Sequence, residues 1–466
     1  MSNSTLLKRT TDLALQFLDS LPERRVGPAI SVEELRAALG GPLPERGEEP
    51  LAVVEQLAQA ADSGLVGMAG PRYFGFVIGG HLPATLAADW LTSTWDQNAT
   101  LYVTSPANAV AEEVAAGWLL DVLNLPNTAS VGFTTGCMMA NFTALAAARH
   151  AVLGRLGWDV ESRGLFGAPE IDVVLGAEAH ATVFAALQML GLGRERVKRV
   201  ATDGQGRMVP ESLRQVLATC DGPLVVCAQA GNVNTGSFDP IAEIVEPIHE
   251  RGGWLHVDGA FGLWAAATPE LRHLVRGVGS ADSWATDGHK WLNVPYDSGI
   301  VAVADREAHR SAMTIAAAYL VQTEGRERDP FDYVPEFSRR ARGFTVYAAL
   351  RSLGRQGLGR LVERCCALAR RFADRLRREP GVEILNEVVL NQVLVRFQPE
   401  GGGDTDAFTR EVIARVQADG TCWLGGTTWH GMAAMRISVS NWSTTEEDVD
   451  RSAEAILRAA KSSGLS

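Results

Sequence analysis

The chain contains no run of 18 apolar residues, so no helix of the bilayer-crossing kind is expected, and no membrane partner. Lysine is nearly absent: Lys8, Lys198, Lys290 and Lys461 are four among 43 basic residues, and arginine supplies the rest. Positive charge is in deficit too, with a formal net charge of −12 over 466 residues. Such a chain is repelled by a phosphate backbone unless a local basic patch intervenes. The richest basic stretch, Arg339, Arg340 and Arg342, is short. A small molecule, not nucleic acid, is therefore the expected partner. The six cysteines (Cys137, Cys220, Cys227, Cys365, Cys366 and Cys422) form no CxxC and are irregularly spaced. That pattern argues against a zinc site and fits reduced thiols in a cytoplasm. Met1 to Asp19 lacks the apolar core and small-residue cleavage site of a signal peptide. No internal repeat is present, and Gly401–Gly403 is the one low-complexity piece. Composition itself is ordinary, 46% apolar and 21% charged, which excludes disorder for most of the chain.

At roughly 150 residues per domain, the length predicts two or three domains, or one large one with appendages. Residues 1–70 read as a helical arm broken by Pro22, Pro28, Pro42, Pro44 and Pro50, too interrupted to build a core of its own. From about residue 105, helical periods alternate with short apolar runs. A helix is predicted over 105–124, with Glu112 and Glu113 on one side and Val114, Trp118, Leu119 and Val122 on the other. Strands are predicted at 129–134, 171–175, 224–228, 254–257 and 299–303, and helices at 138–153, 180–191, 210–219 and 240–250. Such alternation means βαβ units and a mostly parallel sheet, hence an α/β fold. Residues 71–345 are expected to form this large domain and 346–466 a smaller α+β domain. In open parallel sheets ligands sit beyond the carboxyl ends of the strands. Gly136, His180, Gly231, Asp258 and Lys290 all fall there.

Lys290 lies in Asp287-Gly-His289-Lys290-Trp-Leu, flanked by aromatic and aliphatic residues. Desolvation there should lower its pKa and favour a nucleophilic amine. The plain alternative is a lysine stem covering apolar surface. Trp254-Leu-His-Val-Asp258-Gly-Ala260-Phe is an apolar strand ending in a carboxylate and small residues. A carboxylate so placed holds a cationic ring nitrogen, and a small residue two positions on admits a flat ring; a turn aspartate is the alternative. Phe133-Thr-Thr135-Gly136-Cys137-Met138-Met139 reads as strand, turn and helix start, whose free amides bind phosphate. Cys137 reads as a small buried filler more readily than as a reactive thiol. His180 precedes a helix, as a cap or as a ring that stacks on a ligand. Taken together, a lysine for a Schiff base, an aspartate for a pyridinium, amides for a phosphate and an aromatic ring to stack compose one pyridoxal 5'-phosphate site.

His-Val-Asp258-Gly-Ala260 and Asp287-Gly-His289-Lys290-Trp, in this order and spacing, resemble the group II pyridoxal-phosphate-dependent decarboxylases, which include the aromatic-amino-acid and glutamate decarboxylases. The resemblance runs from about Pro71 to residue 450. It implies a fold-type I enzyme with a seven-stranded sheet, acting as a homodimer. It also implies roles. Lys290 matches the Schiff-base lysine, Asp258 the partner of the ring nitrogen, Ala260 a residue packed on the ring and His180 the imidazole stacked over it. Gly136, Cys137 and Met138 match the phosphate turn, while Asp287 and His289 match positions lining the phosphate and lysine. Two departures stand out. The turn has Cys137-Met138-Met139 where relatives carry Ser or Thr, leaving backbone amides helped by Thr135. Gly231-Asn232-Val-Asn replaces Gly-Thr-Thr, so Asn232 stands in for a hydroxyl near the ring.

The protein selects among reactions by orienting the scissile bond and placing an acid. Tyr319, 29 residues after Lys290, matches the family tyrosine that protonates the carbon left by carbon dioxide; the alternative is a packing tyrosine. Arg436 resembles the family's C-terminal arginine and suits a substrate carboxylate or a structural salt bridge equally. Tyr73, Phe74, Phe76, Ile78 and His81 match the family's side-chain pocket and lean toward an apolar or aromatic amino acid. The expected activity is decarboxylation of an L-amino acid to its amine. The alternatives on the same scaffold are oxygen-dependent aldehyde synthesis, carbon–carbon cleavage and transamination.

Overall fold

The computed structural model describes residues 2–315 and 328–461. The chain divides into two compact units. One comprises Met1–Ile78, Arg370–Leu385 and Leu394–Ser466, the other Gly79–Ala369 and Asn386–Val393.

In the first unit, helices α1 (Asn3–Ser20), α2 (Val32–Leu39) and α3 (Pro50–Asp62) open the chain. Ser31 and Glu34 form a reciprocal capping box at α2, and Pro50 starts α3, where a missing amide costs nothing. None of the three helices has a fully buried residue. The prolines that interrupt this stretch thus separate helices instead of abolishing them.

The second unit holds α4 (Pro83–Trp95), α5 (Pro106–Val122), α6 (Cys137–Gly154), α7 (Val160–Arg163), α8 (Ala181–Met189), α9 (Pro210–Leu217), α10 (Ile241–His249) and α11 (Arg306–Met313). Its sheet is built from β1 (Ser130–Thr134), β2 (Asp172–Gly176), β3 (Lys198–Val200), β4 (Leu224–Gln229), β5 (Trp254–Asp258), β6 (Ser283–Asp287) and β7 (Gly299–Val303), in the order β1-β7-β6-β5-β4-β2-β3. The pairs from β6 through β3 are parallel, and β7 runs antiparallel to both its neighbours. This is the fold-type I α/β architecture. Every residue of β1, β5, β6 and β7 is buried, as expected of strands covered on both faces. Against them lies α6, whose Ala140, Ala144, Ala147 and Ala148 are fully buried and let helix and sheet approach closely.

Helix α12 (Gly343–Arg377) is broken at Gly354, which has φ +59°, a conformation that favours glycine. Beyond it come β8 (Val382–Ile384), β9 (Gln392–Phe397), α13 (Thr405–Asp419), β10 (Gly425–Trp429), β11 (Met432–Ser438) and α14 (Glu446–Lys461). Their strands make a four-stranded sheet in the order β10-β11-β9-β8.

The predicted strands and helices of the large sheet recur within one to three residues at each end. Two strands escaped the periodicity: β3, three residues long, and β6, whose Ser-Trp-Ala-Thr-Asp sequence has no apolar run. One expectation is reversed. Glu112 was placed with Glu113 on a polar side of α5, yet Glu112 is completely buried. Both its oxygens bind Arg339 Nη2, at 2.8 and 2.9 Å, and Arg328 Nη1 lies 3.2 Å away. Two guanidiniums distant in sequence offset the cost of burying that carboxylate. The short basic stretch is likewise spent on carboxylates: Arg339 on Glu112, Arg340 on Asp89 and Arg342 on Asp297. Among the described residues, no helix is long and apolar enough to cross a membrane.

Candidate active site

The carboxyl ends of β1, β5 and β6 meet the start of α6 in the second unit, and the titratable groups gather there. Asp258 ends β5 and is buried; its Oδ1 accepts from the Ala260 amide at 3.2 Å and from the Cys137 thiol at 3.5 Å. Asp287 ends β6 and is 2% exposed. Its Oδ1 accepts from the Cys137 amide at 2.6 Å, and its Oδ2 lies 2.9 Å from Lys290 Nζ. Cys137 therefore touches both carboxylates, one through its backbone and one through its side chain. The Lys290 ammonium also stands 6.0 Å over the Phe261 ring.

Two glycines make this convergence possible. A Cβ on Gly299 of β7 would clash with the Gly136 backbone that leads into α6. A Cβ on Gly79 would strike the carbonyl of Lys290.

The electrostatics correct one sequence expectation. Burial alone pushes the Lys290 pKa down, but the Asp287 and Asp258 carboxylates more than offset it, so the pKa is raised. Lys290 is thus held as a partly buried ammonium paired with Asp287, not as a free amine. Burial, then Asp258 and Asp287, push the Cys137 thiol well above its ordinary value, so it stays protonated and unreactive. His289 accepts the Ser298 amide at Nδ1 (3.1 Å), which leaves Nε2–H facing Asp287 Oδ1 at 3.4 Å. Burial lowers its pKa against the opposing pull of Asp287.

The remaining sequence candidates fall as follows. His180 caps α8: its Nδ1 bonds the Thr182 hydroxyl at 2.8 Å and accepts the Thr182 amide. The same imidazole lines a narrow cleft with Asp258, Glu178 and Gln229. Asn232 bonds Glu178 Oε2 at 3.2 Å through Nδ2, and its Oδ1 accepts the Asn234 and Thr235 amides. Thr135 and Gly136 precede α6, and Met138 is 39% exposed in its first turn. His81 is largely buried in the second unit, and burial lowers its pKa. Within the first unit, Phe74 is a core side chain packed edge-on against Phe372, whereas Phe76 is exposed beside the Trp423 ring. Arg436 of β11 is largely buried, its pKa lowered by desolvation, with no hydrogen-bond partner for Nε among the described residues. Tyr319 lies outside the described residues. Sequence reasoning missed Glu178 beside Asn232, Phe261 under Lys290, and Tyr296, whose ring stacks on His289 at 4.4 Å. Tyr296 lies six residues past Lys290, just beyond the motif that drew attention.

These residues fit pyridoxal phosphate. A partly buried lysine pairs with Asp287, a buried carboxylate ends the adjacent strand, and Ala260 is small. The start of α6 already holds one anion, the Asp287 carboxylate, as a helix N-terminus is suited to do. A family model described as the pyridoxal-dependent decarboxylase conserved domain matches residues 33–398. The chain belongs to that family. Pyridoxal phosphate is its cofactor and decarboxylation of an amino acid its reaction, which makes it a carboxy-lyase. It is 24% identical over 451 residues to an aromatic-L-amino-acid decarboxylase of Bacillus atrophaeus, covering 95% of this chain and 92% of that one. It is 26% identical over 463 residues to a 4-hydroxyphenylacetaldehyde synthase of Rhodiola rosea, covering 96% and 92%. In fold it is similar to the crystal structure of Oryza sativa TDC with PLP and tryptamine, with a TM-score of 0.91, 24% identity and coverage of 98% and 97%.

Proposed function

We propose that this decarboxylase converts an L-amino acid with an apolar or aromatic side chain to its amine, using Lys290, Asp258, His180 and Tyr319. The carrying observation is the chain of contacts from Lys290 to Asp287, from Asp287 to the Cys137 amide and from the Cys137 thiol to Asp258. The cofactor supplies an electron sink for the pair left behind when carbon dioxide departs. Lys290 would hold the cofactor's aldehyde end. Asp258 keeps a proton on the ring nitrogen, and the Cys137 thiol donates to that carboxylate. Ala260 would leave room for the flat ring, and His180 would stack on it. The amides of the Thr135–Met138 turn, with His289 nearby, would hold the phosphate, and Asn232 with Glu178 would border the ring. Tyr319 delivers the proton that completes the amine. Phe74, Phe76, His81 and Arg436 are retained as proposed substrate contacts on the strength of the family resemblance alone. The segments 1–70, 71–345 and 346–466 are proposed as arm, cofactor domain and small domain.

We further propose a homodimer in the cytoplasm. Exposed Leu7, Leu15, Val53 and Leu57 on α1 and α3 support self-association. None of the six cysteines is joined in a disulfide, which suits a reducing compartment. The deciding experiment mixes the loaded enzyme with each common L-amino acid and follows carbon dioxide and products. Carbon dioxide with the matching amine is expected. Carbon dioxide with aldehyde and peroxide would convert the reading to aldehyde synthesis. A cofactor spectral change without carbon dioxide from any amino acid would overturn it.

A further inference from the structure

Asp287 spends both carboxylate oxygens on groups that the preceding reading assigns to the cofactor. Oδ1 holds the Cys137 amide at 2.6 Å, where the phosphate turn begins, and Oδ2 holds Lys290 Nζ at 2.9 Å. We infer that Asp287 is a resident counter-anion, which competes with the cofactor for the start of α6 and for Lys290 and thereby controls the rate and pH dependence of cofactor uptake. This inference rests on the assignment of Lys290 and the α6 start to the cofactor.

The carboxylate has little freedom to step aside. Its backbone is held on both sides, with the Asp287 amide donating to Ala260 O at 2.9 Å and Trp264 Nε1 donating to Asp287 O at 3.2 Å. At 2% exposure the side chain has no solvent to turn toward. The groups facing the pair are Cys137 from α6, Asp258 from β5, Phe261 from the loop after β5, and His289 and Tyr296 from the loop after β6. Cys137 stays a thiol, and burial favours neutral His289. Asp258 and Asp287 are therefore the charges that keep Nζ protonated. An ammonium is not a nucleophile, so Nζ has to release a proton to solvent before it can attack a carbonyl carbon. A phosphate approaching the first amides of α6 also meets a like charge already seated there. Removing the charge of Asp287 while keeping its shape relieves both obstacles.

The test is stopped-flow uptake of pyridoxal phosphate by the full-length, cofactor-stripped chain between pH 7 and 9, comparing wild type with Asp287→Asn and Asp287→Ser. The wild-type rate is expected to climb with pH. The variants should load about tenfold faster at pH 7 for each unit by which the lysine pKa falls, with the profile moved to lower pH. Inorganic phosphate should slow uptake by the variants at lower concentration than by wild type. A flat wild-type profile, or variants that load no faster at an unshifted pH, would overturn the inference; the first reading needs no variant to fold. Borohydride reduction of the loaded wild type and peptide mapping test the underlying site separately. A label elsewhere than Lys290 removes that assignment, whereas a label on Lys290 with indifferent variant kinetics removes only the counter-anion.

Discussion

Two buried ionic clusters sit in the same unit and differ in what surrounds the carboxylate. Glu112 is held by Arg339, Arg328 and the Asn108 amide at 3.1 Å, so its lone pairs are filled mostly by permanent cations. Asp287 is held by a lysine, an imidazole and a backbone amide. Arginine does not lose its proton in a protein, so the first cluster has one charge state. Lysine and histidine do titrate, so the second has several. A buried arginine–carboxylate cluster is built to hold α5 against the residues after 327. A buried lysine–carboxylate cluster can move protons, which an enzyme that makes and breaks bonds to an amine requires.

Mutations should separate the two clusters. Lys290→Ala is expected to abolish turnover while leaving a folded chain, read by carbon dioxide release and circular dichroism together; retained turnover would place the chemistry elsewhere. Tyr319→Phe should lower amine formation by roughly 10²- to 10⁴-fold, the usual worth of a positioned general acid, and raise the aldehyde share. An unchanged product ratio would remove Tyr319 from the mechanism.

Glu112→Ala should act the other way, costing about 3–5 kcal/mol of stability because two guanidiniums lose their counter-charge. Denaturant titration measures that cost, and a loss below about 1 kcal/mol would mean the arginines reach water in the variant.

Acid should weaken the same unit through His256. Its Nε2 faces Asn141 Oδ1 at 2.9 Å and its Nδ1 the Ser283 hydroxyl at 2.9 Å, and burial lowers its pKa to about 4. The unfolded chain then binds the extra proton first. The contribution is full above about pH 6.5 and is lost as pH falls toward 4, by about 3 kcal/mol in all. Denaturation midpoints for wild type and His256→Gln between pH 7 and 4 should diverge accordingly; parallel curves would reject the assignment. At the small end, Glu55→Gln breaks the exposed pair with Arg9 (2.7 Å) and should change stability by less than about 1 kcal/mol.

Much of the fold was legible because its signals are local. Apolar runs at 224–228 and 299–303 sit where β4 and β7 form. β6 was not legible, since Ser283, Thr286 and Asp287 are polar residues buried only by neighbouring strands and their own partners. The order of His180, Asp258 and Lys290 along the chain suggested one site; in the structure Asp258 meets the Cys137 thiol, and the Cys137 amide meets Asp287, the partner of Lys290. The lysine's charge was misjudged because desolvation was visible in its apolar neighbours whereas the charge of the cluster around it was not. The burial of Glu112 was hidden for the same reason.

By itself the sequence determined the alternation of strands and helices and the residue set of a pyridoxal phosphate site, because those depend on period and residue type over short spans; the reaction came through the family resemblance. Only the tertiary structure decided protonation and pairing: that Lys290 is an ammonium, that Cys137 is an inert thiol between two carboxylates, and that Glu112 is buried. A charge state depends on which groups come within a few ångströms, and these groups are far apart in the chain. Cys137 and Asp287 are 150 residues apart, and Glu112 and Arg339 are 227 apart.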